Sequence, residues 1–313
     1  MTAPPVVSVV MIFLDAERFI REAIGSVHAQ TFSSWELLLV DDGSTDGSVG
    51  IARDAVRADP ARLRYLSHPG HAHCGTGASR NLGIRTAHGR YVAFLDADDV
   101  WLLRKLEWQV ARLDALPRVA MVYGPAHYWY GWTGEAQDAA RDFVQDLKLS
   151  GDTLAEPPSL LRRWLPSGAL TPSPSGILVR RTSLERVGAF EDDFRGLYED
   201  QVLYVKLAAS EPILASPQVW YRYRRHEGAA CCVASRTGAD VEERASFLAW
   251  AARYVAAADL DVPDVERALH RALASPRRPS PWWARVRGMA RTVLPATARR
   301  WLRARSNALA EWR

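Results

Sequence analysis

A chain of 313 residues with 48% hydrophobic and 24% charged side chains has the make-up of a globular protein, which excludes a disordered, fibrous or disulfide-stapled one. The net charge is +4, yet ten of the 40 basic residues and one of the 36 acids fall after Ala274, leaving 30 bases against 35 acids, a net −5, before it. The basic character is therefore confined to the last segment.

Val6 to Phe13 is a near-continuous apolar run rich in β-branched residues, the pattern of a strand buried on both faces of a parallel sheet. Phe19, Ile20, Ala23, Ile24 and Val27 recur at helical spacing toward Gln30, and a second buried strand follows over Leu37 to Val40. A third strand (Leu63 to Leu66), a helix around Ala78 to Thr86 and a fourth strand (Tyr91 to Leu95) repeat the alternation. This order predicts an α/β fold with a doubly wound, mostly parallel sheet flanked by helices. Leu102, Leu106, Val110 and Leu113 mark an amphipathic helix, and Val119 to Tyr123 another strand. From Gly124 to Thr171 aromatics, Gly and Pro break the pattern. Gly176 to Val179, a helix from Tyr198 to Ala209 and a strand near Val219 to Tyr223 follow, and after Asp240 the pattern is helical through Leu273. The expected organisation is one domain over 1–230, in halves of about 1–116 and 117–230, a helical extension over 231–274 and a basic amphipathic tail over 275–313.

Three cysteines, Cys74 and the adjacent Cys231 and Cys232, make neither a secreted disulfide framework nor a zinc cluster. The start of the chain lacks a basic n-region, and no run of eighteen residues stays apolar and uncharged. The expected location is cytoplasmic, with peripheral contact on the inner face of the membrane left open.

Ligands of open parallel sheets bind beyond the carboxyl ends of the strands, and two acidic clusters lie there. Asp41 and Asp42 precede Gly43, which permits a tight turn, and Ser44, Thr45 or Asp46 can cap the next helix; turn and cap chemistry alone also accounts for this run. Asp96, Asp98 and Asp99 repel one another unless a positive charge sits among them, and a hard divalent cation completed by phosphate oxygens answers that. Capping of a helix from Val100 to Leu116 explains only one of the three acids. Between the clusters, Gly75 to Asn81 opens a helix carrying Arg80, a guanidinium suited to phosphate. No G-x-x-x-x-G-K-[ST] loop is present, and no G-x-G-x-x-G follows the first strand.

The series Asp41-Asp42-Gly43-Ser44-Thr45-Asp46, Ala78-Ser79-Arg80-Asn81, Phe94-Leu95-Asp96-Ala97-Asp98-Asp99 with Trp101 and Lys105-Leu106-Glu107, and then Glu199-Asp200, resembles glycosyltransferase family 2 over roughly Val6 to His226. The resemblance implies a GT-A fold whose first half binds a nucleotide diphosphate sugar and whose second half receives the acceptor. It implies that Asp42 reads the base with Asp41 beside it, that Asp96 and Asp98 meet ribose and metal with Asp99 a further metal candidate, that Arg80 approaches the diphosphate, and that Asp200 is the catalytic base of an inverting reaction. His226 would join the Mn2+ or Mg2+ ion; the plain alternative is a surface histidine. Where the family usually has Pro, Tyr and Asn, this chain has Ile12, Leu14 and Asp15, and Asp15 adds negative charge near the donor pocket.

The expected function is transfer of a single sugar from a nucleotide diphosphate sugar to a hydroxyl of a carbohydrate or lipid-linked acceptor, in cell-surface polysaccharide or glycoconjugate synthesis. Chain synthesis is disfavoured because Leu160 and Thr297 stand where a Gln-x-x-Arg-Trp motif would need Gln. Tyr128, Trp129, Tyr130 and Trp132 suit either an acceptor platform or loop packing. In the tail, Trp282, Trp283, Trp301 and Trp312 lie among arginines, a pattern for an anionic membrane surface or for docking onto the acidic body. Nucleic acid is not an expected partner, since no binding module surrounds the basic cluster. The alternatives are a catalytically silent nucleotide-sugar binder or membrane-associated scaffold and, less favoured, a sugar-phosphate nucleotidyltransferase, which would need a Gly-rich loop where Asp15-Ala16-Glu17-Arg18 stands.

Overall fold

The computed structural model describes residues 4–165 and 171–274. The first half runs β1 (Val7–Phe13), α1 (Ile20–His28), β2 (Trp35–Asp41), α2 (Ser48–Ala58), β3 (Leu63–Ser67), α3 (Thr76–Thr86), β4 (Tyr91–Asp96), β5 (Val100–Trp101) and α4 (Lys105–Ala115). The second half runs β6 (Met121–Tyr123), β7 (His127–Trp129), α5 (Ala136–Ala139), β8 (Phe143–Val144), β9 (Thr153–Ala155), α6 (Ser159–Trp164), β10 (Ile177–Arg180), α7 (Arg181–Val187), α8 (Glu199–Ser210), β11 (Ile213–Ala215) and β12 (Tyr221–Arg224). Three helices follow: α9 (Ala230–Thr237), α10 (Ala239–Ala257) and α11 (Pro263–Ala274).

Eight strands form the main sheet in the order β3-β2-β1-β4-β10-β6-β11-β9. β1, β2, β3 and β4 are parallel, whereas β10 is antiparallel to both β4 and β6. Strand residues alternate between two cores because both faces are covered. Val9, Met11, Leu37 and Leu39 pack with Ile20, Ile24, Leu106 and Val110 on one side. Val10, Ile12, Leu38 and Val40 pack on the other with Ile84, Val202 and Leu203. Each such side chain removed from water contributes about 1.5–3 kcal/mol.

The helices expected to form a separate extension are part of that second core: Phe247, Leu248 and Ala251 of α10 and Val265 and Leu269 of α11 share it with α6 and α8. Their buried apolar residues complete that core, so the helices pack with the domain expected to end at residue 230. A second sheet, in the order β5-β12-β7-β8, uses part of the aromatic segment that lacked a sequence pattern. It also corrects the helix expected from Val100: Val100 and Trp101 are strand β5, and α4 begins only at Lys105, so Asp98 and Asp99 do not cap it.

The chain order around β1 sets the ligand edge. β1 leads to β2 on one side, and β4 returns on its other side, the switch in strand order beside which open sheets bind ligands. Register places Asp41 opposite Phe13 and Asp96 opposite Ile12. The two acidic clusters thus flank the end of one strand.

Candidate functional site

Asp41 and Asp42 are turned onto their own loop. Asp41 is fully buried and accepts hydrogen bonds from the Ser44 N–H (2.9 Å), the Tyr65 hydroxyl (2.7 Å) and His71 Nε2 (2.5 Å). Burial alone would raise its carboxyl, but those donors outweigh it and hold it below the usual range. Asp42, 3% exposed, accepts from the N–H groups of Cys74 (2.8 Å) and Gly75 (3.1 Å) and lies 2.9 Å from His73 Nδ1. Both carboxylates are thus held by protein donors in this structure. They shape the loop that lines the edge.

Two glycines make this loop possible. Gly43 has φ +89° and a Cβ there would meet the backbone of 71–73 at 3.0–3.3 Å. Gly75 has φ +94°, and its Cβ would stand 2.8 Å from Cβ of Arg195. Gly75→Ala is expected to destabilise the protein by about 2 kcal/mol, read as a lowered urea midpoint at unchanged slope; an unchanged midpoint would mean that the loop shifts freely.

Asp15, the unusual residue after β1, also binds this loop. Its Oδ1 accepts from the N–H groups of Thr45 (2.7 Å) and Asp46 (3.3 Å), while Glu17 accepts from Gly47 (3.0 Å). The extra negative charge thus meets the orphan N–H groups ahead of α2, where an anion is favoured.

The second cluster divides into three roles. Asp96 pairs with Arg80. Asp98, with its side chain 30% exposed, places Oδ2 2.9 Å from Nε2 of His226. The pairing of β5 with β12, Arg222 opposite Val100, carries the chain back past Asp98. There Arg224, 3% exposed, donates from Nε to the Asp98 carbonyl (2.7 Å), from its N–H to Asp99 Oδ1 (3.0 Å), and from Nη2 to Glu22 (2.6 Å). Asp99 is completely enclosed, with Oδ2 unpartnered and out of reach of water. Enclosure sets Asp99 apart from Asp98, whose carboxylate is partly open. Burial, with Asp98 and Asp96 nearby, pushes the Asp99 carboxyl well above the usual range.

Among the described residues, no three His, Cys, Asp or Glu side chains converge on a cation position. The pair Asp98 and His226 nevertheless fits one: a carboxylate oxygen and an imidazole nitrogen, adjacent and partly open, suit Mn2+ whose remaining positions are filled by phosphate oxygens and water.

Arg80 is held between two acids. It is 3% exposed, with Nη2 2.7 Å from Asp96 Oδ1 and Nη1 hydrogen-bonded to Glu199. Both terminal nitrogens thus pair with acids, while the buried Nε has no hydrogen-bond partner among the described residues. Burial pushes Asp96 and Glu199 up, and Arg80 between them pulls the other way. Asp200, next to Glu199, is pushed up to about 8 by burial and by the Glu199 charge, with Arg80 opposing. Tyr198 enters α8 with φ +70°, a conformation non-glycine residues adopt at a cost, and it is held by stacking on Phe247 (5.1 Å) and by Glu243 accepting from the Leu197 N–H.

The aromatic segment packs. Tyr128 stacks on Phe143 at 4.6 Å, Trp132 donates from Nε1 to the Arg225 carbonyl (2.9 Å), and Phe19, Trp129 and Trp132 surround the Arg224 guanidinium. His226 rests on Phe19 at 4.7 Å. The tail expected to meet a membrane, 275–313, lies outside the described residues; no described helix is long and apolar enough to cross one. The roles of Glu199, Arg224 and Asp15 escaped the sequence reading. Glu199 left a signal there as the acid beside Asp200, and Asp15 as a departure from the family pattern.

The profile of Glycosyl transferase family 2 matches residues 8–188. The chain belongs to that family. A relative, the Escherichia coli UDP-Glc:alpha-D-GlcNAc-diphosphoundecaprenol beta-1,3-glucosyltransferase WfgD, is 36% identical over 118 residues, 38% of this chain and 44% of the relative. The chain spans about half the length of the curated relatives it matches. Staphylococcus aureus TarS 1–349 in complex with UDP-GlcNAc superposes with a TM-score of 0.67 at 21% identity, covering 98% of this chain and 80% of that one. The mannosyltransferase PcManGT of Pyrobaculum calidifontis, in complex with GDP-Man and Mn2+, gives 0.59 at 20%, covering 99% and 81%. These structural likenesses establish the fold, the GT-A architecture of the family.

Proposed function

We propose that the protein is an inverting, metal-dependent glycosyltransferase that moves one sugar from a nucleotide diphosphate sugar to a hydroxyl acceptor, in cell-surface polysaccharide or glycoconjugate synthesis. The observation that carries this is the meeting of Asp98 with His226 at the end of β4 while Asp96, in the same cluster, is joined through Arg80 to Glu199, the neighbour of Asp200. This linkage supports reading Asp98 and His226 as the cation pair and Asp200 as the proton acceptor.

Asp98 and His226 would hold Mn2+ or Mg2+, which neutralises charge gathering on the departing diphosphate. Asp96 stands ready for the ribose side with its side chain 24% exposed. Asp200 takes the proton of the incoming hydroxyl as the new bond forms. Attack from the face opposite the leaving group inverts the anomeric centre, so an α-linked donor yields a β-linked product. WfgD acts on a diphosphoundecaprenol-linked sugar, which supports a lipid-linked acceptor here, and neighbours that bind UDP-GlcNAc or GDP-Man with Mn2+ support a nucleotide sugar and a divalent ion.

A panel of UDP-GlcNAc, UDP-glucose and GDP-mannose with and without Mn2+ tests the reading by thermal shift. At about 100 times its Kd a true donor adds roughly 2.7 kcal/mol, seen as a rise of several degrees in Tm that needs the ion. No shift with any of the three, and no nucleoside diphosphate released in the presence of acceptor, would remove the proposal.

A further inference from the structure

We propose that Arg80 is a positioning residue for Asp200: its guanidinium, clamped between Asp96 and Glu199, holds the start of α8 against the donor edge of the sheet and does not touch the diphosphate. This rests on Asp200 being the base of the proposed reaction.

Three elements meet in the clamp. Arg80 lies in the second turn of α3, Asp96 is the last residue of β4, and Glu199 is the first of α8. Nη2 is 2.7 Å from Asp96 Oδ1, Nη1 donates to Glu199 Oε1, and the guanidinium lies 5.5 Å from the Phe190 ring centroid. Asn81, the next residue, fixes Phe190 from both sides, donating to its carbonyl (2.9 Å) and accepting from its N–H (3.0 Å). A planar fork spans two acids on separate elements, whereas one ammonium cannot hold both at that geometry. Stability alone does not call for such a triad, because a buried ion cluster is often no better than apolar side chains of similar volume. What it adds is a defined separation between the end of β4 and the turn that presents Asp200.

The electrostatics agree. The charged groups acting on Asp200 are Glu199 and Asp96, which raise it, and Arg80, which lowers it. Tyr204, one turn along α8, has a buried hydroxyl with no hydrogen-bond partner. On the other side Asp240, Glu243 and Arg244 of α10 act on Tyr198. Removing Arg80 therefore makes Asp200 harder to ionise, and removing the Glu199 charge makes it easier.

The test is the pH profile of kcat for UDP release from UDP-GlcNAc or UDP-glucose with Mn2+, alongside UDP affinity by calorimetry. Arg80→Gln should shift the acid limb upward by about one unit, about tenfold less turnover at a fixed pH on that limb. Glu199→Gln should shift it downward, and this variant keeps the test open if Arg80→Gln fails to fold. Arg80→Lys keeps the charge but not the fork, so its limb should stay near that of the unsubstituted protein while kcat falls. UDP affinity should hold in all three. Weakened UDP binding in the Arg80 variants with unmoved limbs would assign the guanidinium to the diphosphate and overturn the clamp, and equal losses at every pH would reduce it to packing. Asp200→Asn separates the two levels: full turnover there removes the base itself, whereas an inactive Asp200→Asn with unmoved limbs elsewhere removes only the clamp.

Discussion

Asp200→Asn is expected to lower sugar transfer by about 10² to 10⁴ in kcat while UDP affinity stays within about twofold. The amide keeps the volume and the contact with the Gln201 N–H, 2.7 Å in the acid, but it cannot take a proton from an alcohol. The pH dependence follows from the same group. Burial and Glu199 hold the Asp200 carboxyl at about 8, and a base works only when ionised. In the free protein kcat/KM should therefore climb about tenfold per unit below that value and level off above it. The sign is that of a raised acid: activity is gained as pH rises through about 8. A profile flat from mildly acidic to mildly alkaline pH in the parent protein, or full turnover in Asp200→Asn, would eliminate Asp200 as the base.

Asp98→Asn and His226→Ala are expected to weaken Mn2+ binding in the presence of UDP by at least about tenfold each, read from free Mn2+ by electron paramagnetic resonance. The two side chains approach to 2.9 Å across 128 positions of sequence, and each supplies one atom that an ion needs. Asp99→Asn should behave differently. Its carboxyl is enclosed and its Oδ1 holds the Arg224 N–H, so this variant should alter stability and leave Mn2+ affinity near that of the parent protein. Equal Mn2+ affinities in all three variants would show that the ion, if bound, sits elsewhere.

The order of β1 to β4 and the helices between them was legible because each signal is local: an apolar run buried on both faces, or a 3.6-residue repeat, lies within ten or so residues. Asp96 and Asp98 were legible for the same reason, as acids directly after a strand. Less could be read where partners are distant. β5 and β12 are two and four residues long, too short to carry periodicity, yet their pairing brings His226 to Asp98. The second core likewise absorbs α10 and α11, whose apolar faces look alike whether they end a domain or complete one.

The sequence by itself determined the fold class, the sheet edge at which the acids gather and the residue types available there, since spacing and polarity are properties of short segments. Which acids are free was decided only in three dimensions. Asp42 is satisfied by N–H groups 32 and 33 positions away, and Arg80 by an acid 119 positions away. A buried charge must find a partner wherever the chain brings one, so the same carboxylate can bind a ligand or hold a loop, and packing chooses between them.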